Sequence, residues 1–176
     1  MERIKSGITI LTILFFSGCG YSFHGFQYQE NKIFIYPIIN KINITSETRR
    51  YSSYQSFPIL LEKKLTNRLI EKFNIDGHLK VVNTPDAALR LSCIIKKYLK
   101  ESLRYTDSEE VEEQRLRLYV HIQLKDSKGT SLKERDIVGE TTYFLLGTYR
   151  KSEEQAQEDL IEDTARRILE IIVEEW

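Results

Sequence analysis

The feature that most constrains the fold is an unbroken alternation of side-chain type over residues 115–125. The apolar positions are Leu116, Leu118, Val120, Ile122 and Leu124. The intervening positions are Arg115, Arg117, Tyr119, His121, Gln123 and Lys125. Because successive side chains of a strand point to opposite faces, this pattern predicts a strand with one apolar and one polar, mostly basic face. Such a strand belongs in a sheet that is covered on one side only.

Strands are predicted on both sides of this segment. Asp126-Ser127-Lys128-Gly129 is typical of a hairpin turn, so we expect a partner strand over residues 130–146. A long strand is predicted over residues 87–104, and its apolar face comprises Leu89, Leu91, Cys93 and Ile95. The acidic stretch 107–113 between these strands is interpreted as a solvated loop tip.

Two shorter strands and two helices complete the prediction. Residues 32–39 form a continuous apolar run that is typical of a strand buried on both faces, and Pro37 makes the last part of this strand an edge or an end. Residues 79–82 form another short strand. After a long loop over residues 40–57, a helix begins with Pro58 in its first turn and ends near Asn74. Its apolar stripe is Ile59, Leu61, Leu65, Leu69 and Phe73.

The last helix is predicted over residues 152–176, with Ser152 as its N-cap. Its inward positions are Ala156, Leu160, Thr164, Ile168 and Ile171. The element order predicts an α+β fold, a two-layer sandwich in which two amphipathic helices pack on one face of a mixed, mostly antiparallel sheet.

The first residues have the pattern of an export signal. Arg3 and Lys5 precede an apolar stretch from Ile8 to Phe16, and two small residues then precede Cys19. The apolar stretch is far shorter than the about 20 residues that a membrane-spanning helix needs. A membrane anchor and an ordinary secretory signal with an incidental cysteine remain alternatives.

This segment resembles the lipobox of bacterial lipoproteins, with Phe16 where the pattern prefers Leu. The resemblance implies cleavage before Cys19 and acylation of its thiol by fatty chains such as palmitate. The resemblance also implies sorting to the outer membrane, because lipoproteins retained on the inner membrane often carry Asp at the position of Gly20. The expected organisation is a signal peptide over residues 1–18, a lipidated tether over 19–31 and a single domain over 32–176.

Composition excludes several classes of protein. The 26 basic and 26 acidic residues balance, which argues against a general nucleic-acid binder. If Cys19 is acylated, Cys93 has no cysteine partner, and its place in an apolar strand predicts a buried, inert thiol. The expected domain therefore relies on its core without a disulfide.

No catalytic or metal-binding motif is found. His24, His78 and His121 lie far apart, and none has a cysteine or acid at metal-ligand spacing. The chain has no nucleophile elbow, Walker loop or dinucleotide-binding motif. We therefore predict that the protein is not an enzyme, and we expect no cofactor apart from the covalent lipid on Cys19.

Basic residues form the candidate binding surface. If the strands around residues 90–104 and 115–125 pair, alternate positions would align a cationic stripe with Tyr98 and Tyr119 among the charges, and Lys97 and Arg104 nearby. The candidate ligands of an anionic glycolipid are Arg90, Lys96, Lys100, Arg115, Arg117 and Lys125. The alternative is a solvated sheet face whose charges are balanced by acids.

Several segments resemble a known family in their order and spacing. The start of the predicted mature chain reads Cys-Gly-Tyr from Cys19, and residues 37–40 read Pro-Ile-Ile-Asn at the end of the first strand. Residues 65–69 resemble the family's first helix, residues 85–89 its entry to a central strand with Pro85 in place of Ala, and residues 156–176 its last helix. In these segments the chain resembles the LptE-type lipopolysaccharide-assembly lipoproteins.

The resemblance implies a non-catalytic protein on the periplasmic face of the outer membrane. Such proteins sit in the lumen of an LptD-type β-barrel, assist its assembly, plug it and aid lipopolysaccharide delivery to the outer leaflet. The expected partners are therefore that barrel, lipopolysaccharide and the membrane, and no nucleic acid. An alternative is a lipoprotein adaptor that activates a peptidoglycan synthase or forms part of a secretion pore, because similar sandwich domains occur there.

Overall fold

The computed structural model describes residues 31–42, 58–86 and 88–173 of the 176-residue chain. The predicted signal peptide, most of the tether and most of the loop at 40–57 lie outside the described residues. In chain order the elements are β1 (Lys32–Ile35), β2 (Ile39–Asn40), α1 (Leu61–Asp76), β3 (Lys80–Val81), β4 (Leu89–Tyr105), β5 (Val111–Lys125), β6 (Ser131–Phe144) and α2 (Glu153–Val173). The α+β prediction is confirmed: two helices pack on a mixed, open sheet of six strands.

The sheet has the strand order β3-β1-β4-β5-β6, and β2 pairs with β4 beyond the end of β1. β1 is parallel to both β3 and β4, and β2 is parallel to β4. β4, β5 and β6 form an antiparallel meander. The predicted pairing of the two long strands is therefore confirmed.

Pro37 divides the predicted first strand into β1 and β2. The N–H of Tyr36 still donates to the carbonyl of Leu91 at 2.9 Å, but Pro37 has no N–H to continue the ladder. Pairing resumes at Ile39, opposite Ile94. The predicted burial on both faces is wrong, because the helices cover only one face of the sheet: Ile33, Ile35 and Ile38 are in the core, whereas Tyr36 and Ile39 are exposed.

Helix α1 begins three residues later than predicted. Ile59 precedes the helix and is exposed, so it does not belong to the apolar stripe as predicted. The buried stripe comprises Leu61, Leu65, Leu69 and Phe73. The helix ends at Gly77, which takes the left-handed conformation at φ 78° and donates its N–H to the carbonyl of Phe73 at 3.1 Å.

Helix α2 has the predicted N-cap. The Ser152 hydroxyl accepts the N–H of Gln155 at 3.2 Å, and the Gln155 side chain accepts the N–H of Ser152 at 3.0 Å. This reciprocal capping box satisfies two N–H groups that have no partner within the helix. The helix then crosses β6 at Gly139, where the absence of a side chain permits close approach to Thr164.

A β-bulge in β4 changes which side chains share a face. Before the bulge, Leu91, Cys93 and Ile95 point into the core. The register with β5 shifts between Ile95 and Lys97, so Lys96 is the extra residue. After it, Tyr98 occupies the core face and is fully buried.

Candidate functional site

The sheet face opposite the helices carries the candidate site, and we call it the outer face. Three neighbouring strands contribute rows of side chains in register: Arg90 opposite Lys125, Lys97 opposite Tyr119, and Glu101 opposite Arg115. β6 adds Glu134, Asp136 and Glu140 beside Gln123, His121 and Arg117 respectively. The outer face is therefore a mixed charged surface whose acids come mainly from β6.

Arg115 and Arg117 do lie on the outer face, as predicted, but both contact Glu101. Arg117 Nη2 donates to Glu101 Oε2 at 2.5 Å, and Arg115 Nε lies 3.4 Å from the same oxygen. The hydrogen bond from Arg117 holds the pKa of Glu101 below its ordinary value, and the two guanidinium charges lower it further. Arg115 Nη1 also lies 3.9 Å from Glu140 Oε2, so two carboxylates balance the two arginines within the sheet.

Lys96 also reaches the outer face and is neutralised there. Its Nζ lies 2.8 Å from Asp136 Oδ1, which also contacts Nδ1 of His121 at 2.8 Å. Lys96 and then His121 lower the pKa of Asp136. His121 contacts Glu134 as well, so the polar face near the middle of β5 forms a charge cluster.

Lys100 does not share this face, so the alternation predicted from residue 90 to residue 100 is wrong. The bulge at Lys96 reverses the alternation, and Lys100 points to the helical side, where Nζ lies 2.7 Å from Glu153 Oε2 of α2. Tyr98 is likewise a core residue, not an aromatic among the outer charges. Tyr119 does lie outside, with Lys97 Nζ 5.7 Å from its ring centroid.

Arg90 and Lys125 form the remaining cationic pair. They are register partners at the end of the sheet nearest the β5–β6 turn. The Arg90 guanidinium donates to the backbone carbonyls of Asp126 and Ser127 at 2.8 and 3.2 Å, which fixes it without neutralising its charge. Within the described part of the chain, no carboxylate oxygen lies within 4 Å of a side-chain nitrogen of Arg90 or Lys125.

A cleft of about 330 Å³ lies beside this pair and is lined by Tyr36, Arg90, Ser92, Lys125 and Gly129. Tyr36 comes from the end of β1, where its ring packs edge-on against Phe34 with centroids 4.8 Å apart. The cleft offers two positive charges, a hydroxyl and an aromatic ring, a combination that suits a phosphorylated sugar. The sequence prediction missed Tyr36 because the parallel pairing of β1 with β4 leaves no local signal.

The described ranges hold neither a metal-binding cluster nor a membrane-spanning helix. Residues 31–42, 58–86 and 88–173 contain no group of three or more His, Cys, Asp or Glu side chains able to hold a metal ion. Across those same ranges, neither helix is long and apolar enough to cross a bilayer.

The fold and the outer face define an α+β sandwich domain with a charged, open sheet surface. The chain belongs to the LptE family: the sequence model described as LptE, lipopolysaccharide-assembly, matches residues 40–175. This is a non-catalytic family of lipopolysaccharide-assembly lipoproteins. The resemblance seen in the sequence is thereby confirmed.

Several solved structures resemble the chain. Rare lipoprotein B from Shewanella oneidensis is 14% identical, with 80% of this chain and 92% of that chain covered and a TM-score of 0.48. A minor lipoprotein from Acinetobacter baumannii is 19% identical, with coverage of 81% and 92% and a TM-score of 0.48. Lipoprotein B from Nitrosomonas europaea is 17% identical, with coverage of 82% and 83% and a TM-score of 0.49. Comparison with curated proteins gives no match.

Proposed function

We propose that this protein is an outer-membrane lipoprotein that assists assembly of an LptD-type β-barrel, plugs it, and aids lipopolysaccharide delivery to the outer leaflet. The observation that carries the proposal is the family match over residues 40–175. The proposal includes no catalysed reaction. It requires only binding surfaces, which the mixed charges of the outer face can supply.

The proposed anchor is a lipid on Cys19, with the folded domain on the periplasmic face of the outer membrane. A charged start, a short apolar stretch and two small residues before Cys19 support this assignment. A single acyl chain binds membranes only marginally, so stable anchoring requires more than one chain or a second membrane contact.

The proposed contact with lipopolysaccharide is the cleft at Arg90 and Lys125. Of the six basic candidates, these two carry charges on the outer face that no described carboxylate neutralises. Arginine can donate two parallel hydrogen bonds to a phosphate, while lysine acts as a compact point charge. The ring of Tyr36 on the same cleft could pack on a sugar.

The experiment that tests the role is affinity capture of the full-length protein from detergent-solubilised outer membranes, followed by mass spectrometry. A large β-barrel in near-equal amount, together with lipopolysaccharide, is the expected result. Capture of a peptidoglycan synthase, or of a ring of copies of the protein itself, would replace the proposal with the adaptor or secretion-pore alternative.

The binding site is tested separately with two double variants of the full-length protein. Arg90→Gln/Lys125→Gln should weaken lipopolysaccharide binding at least several-fold, because it removes both positive charges that line the cleft. Arg115→Gln/Arg117→Gln is the matched comparison, since it also removes two positive charges from the outer face, but these are held by Glu101. An equal loss in both variants, or a loss only in the second, would contradict the assignment.

A further inference from the structure

Three exposed lysines lie at one end of the sheet, and we call them the lysine rim: Lys32, Lys80 and Lys128. Lys32 and Lys80 are register partners in the first positions of β1 and β3. The N–H of Lys80 donates to the carbonyl of Asn31 at 2.9 Å, which fixes the two strand starts side by side. Lys128 lies in the β5–β6 turn at the same end, because β5 is antiparallel to β4 and ends opposite Arg90.

Like Arg90 and Lys125, the rim lysines are not neutralised by a carboxylate of the described residues. No carboxylate of the described residues lies within 4 Å of their ammonium groups, whereas Lys96, Lys100, Arg115 and Arg117 are all in ion pairs. The acids at this end of the sheet are Asp76 and Asp86, which precede β3 and β4, and Asp126 in the β5–β6 turn. Asp76 accepts the N–H of His78 at 3.2 Å, and Asp126 accepts the N–H of Thr130 at 2.7 Å. Arg90 and Lys125, which are register partners in β4 and β5, lie beside this end and extend the positive surface along the outer face.

The opposite end of the sheet has the opposite charge. The β4–β5 hairpin tip presents Asp107, Glu109, Glu110 and Glu112, of which the first three are exposed. Among the described residues, basic side chains therefore outnumber acidic ones at the rim end, and acidic side chains outnumber basic ones at the hairpin tip. A negatively charged planar surface would attract the lysine rim and repel the acidic hairpin tip. These forces act over a Debye length, which is about 10 Å at moderate salt.

The chain enters the domain at the positive end. Asn31 directly precedes β1, and residues 19–31 connect it to Cys19. A segment of that length spans at most about 45 Å when fully extended, and much less when it is not. A lipid on Cys19 therefore keeps the rim within reach of the bilayer surface.

We propose that, in the protein not yet bound to the barrel, the lysine rim docks on anionic phospholipid headgroups of the bilayer that holds the anchor, with the acidic hairpin tip directed away. The inference rests on the proposed acylation of Cys19. Basic residues beside a membrane anchor bind anionic lipid through long-range attraction. Such docking would give the protein a second membrane contact in addition to its lipid anchor.

The test uses the full-length lipoprotein reconstituted in vesicles of phosphatidylcholine with or without phosphatidylglycerol. A fluorophore is placed at Ser131→Cys near the rim or at Ser108→Cys in the hairpin tip, and nitroxide-labelled headgroups quench it. Both positions are exposed, while the native thiol of Cys93 is buried. Quenching at residue 131 should exceed quenching at residue 108 several-fold in phosphatidylglycerol vesicles, and high salt should abolish the difference.

A matched pair of variants isolates the rim. Lys32→Gln/Lys80→Gln should reduce the quenching at residue 131 to the level seen with phosphatidylcholine alone. Lys41→Gln/Lys63→Gln removes the same charge from exposed lysines elsewhere and should leave the quenching unchanged. Equal quenching of both reporters, or quenching that does not depend on phosphatidylglycerol, would overturn the docking proposal.

Failure of docking and failure of the proposed function give different results. If the β-barrel is captured but the quenching shows no dependence on phosphatidylglycerol, the rim proposal alone is wrong. If the reporter protein does not associate with either kind of vesicle, the anchor is wrong, and the docking proposal that rests on it is also overturned.

Discussion

Gly139 of β6 lies against Thr164 of α2 so closely that a Cβ atom on Gly139 would fall 1.9 Å from Thr164 Oγ1. The backbone of Thr164 is also close, with its Cα 3.0 Å from that position. Rotation of the threonine side chain cannot relieve a contact with its own Cα. The crossing of α2 over β6 therefore requires glycine at residue 139.

We predict that Gly139→Ala destabilises the fold by about 1–3 kcal/mol, the usual cost of overpacking a core. The free energy of unfolding is measured by urea denaturation followed by circular dichroism. Thr142→Ala on the exposed outer side of the same strand is the control and should change it by less than about 0.5 kcal/mol. A Gly139→Ala protein as stable as the parent would mean that α2 does not cross β6 at this distance.

A second prediction separates Lys100 from the lipopolysaccharide site. Lys100→Gln leaves the Glu153 carboxylate without its cation at a partly buried position, so stability should fall by about 1–3 kcal/mol. Lipopolysaccharide binding should not change, because Lys100 lies on the helical side of the sheet. Lys96→Gln, in an exposed ion pair, is the comparison and should cost about 1 kcal/mol or less. Reduced binding by folded Lys100→Gln protein would refute this placement.

A third prediction concerns acid unfolding and Asp163. Burial raises the pKa of this carboxyl, but the N–H of Glu140 and the guanidinium groups of Arg167 and Arg166 outweigh burial, so its pKa lies below the ordinary value. Asp163 therefore binds fewer protons in the folded state than in the unfolded state around pH 4, and stability rises with pH there. Its contribution is present above the unfolded pKa of about 3.9 and is lost as pH falls through the lower folded pKa.

Urea midpoints measured between about pH 3 and about pH 7 should fall on the acid side, and Asp163→Asn should flatten that fall. Asp107→Asn removes an exposed carboxylate of the hairpin tip as a control. If the two variants have the same pH profile, Asp163 does not contribute to acid sensitivity in this way.

A fourth prediction concerns the two cysteines. Cys93 is buried, and burial raises the pKa of its thiol to about 12, so it should react with iodoacetamide very slowly in the folded protein. In denaturant, the purified lipoprotein should show one reactive thiol of the 2 cysteines in the sequence if Cys19 is acylated. A count of two would contradict acylation, and fast labelling of the folded protein would contradict the burial of Cys93.

The alternation of β5 could be predicted because it depends on local sequence alone. Leu116 to Leu124 face the core at every second position, and the Asp126–Gly129 turn joins β5 to β6 as expected. The Ser152 cap was likewise predictable, since a capping residue acts on the turn that follows it. These features fix the fold class without any knowledge of distant contacts.

The composition of the site could not be predicted in the same way. The acids that neutralise Arg117 and Lys96 lie on neighbouring strands, and only the pairing register brings Glu101 and Asp136 to them. Tyr36 reaches the cleft through a parallel crossover. The residue types around Lys96 do not indicate a bulge, because the charged and apolar residues there could be assigned to either the core face or the outer face of the sheet.

The extra residue at Lys96 determines where β4 can change in length. Loss of Lys96 would leave Ile95, Lys97 and Tyr98 opposite Val120, Tyr119 and Leu118, so each would keep its present face of the sheet. The tip around residues 106–110 can likewise change in length without altering either face. Related chains that differ in length within this hairpin should therefore differ at the tip or at the bulge, and those without the bulge should have one residue fewer between Cys93 and Tyr98.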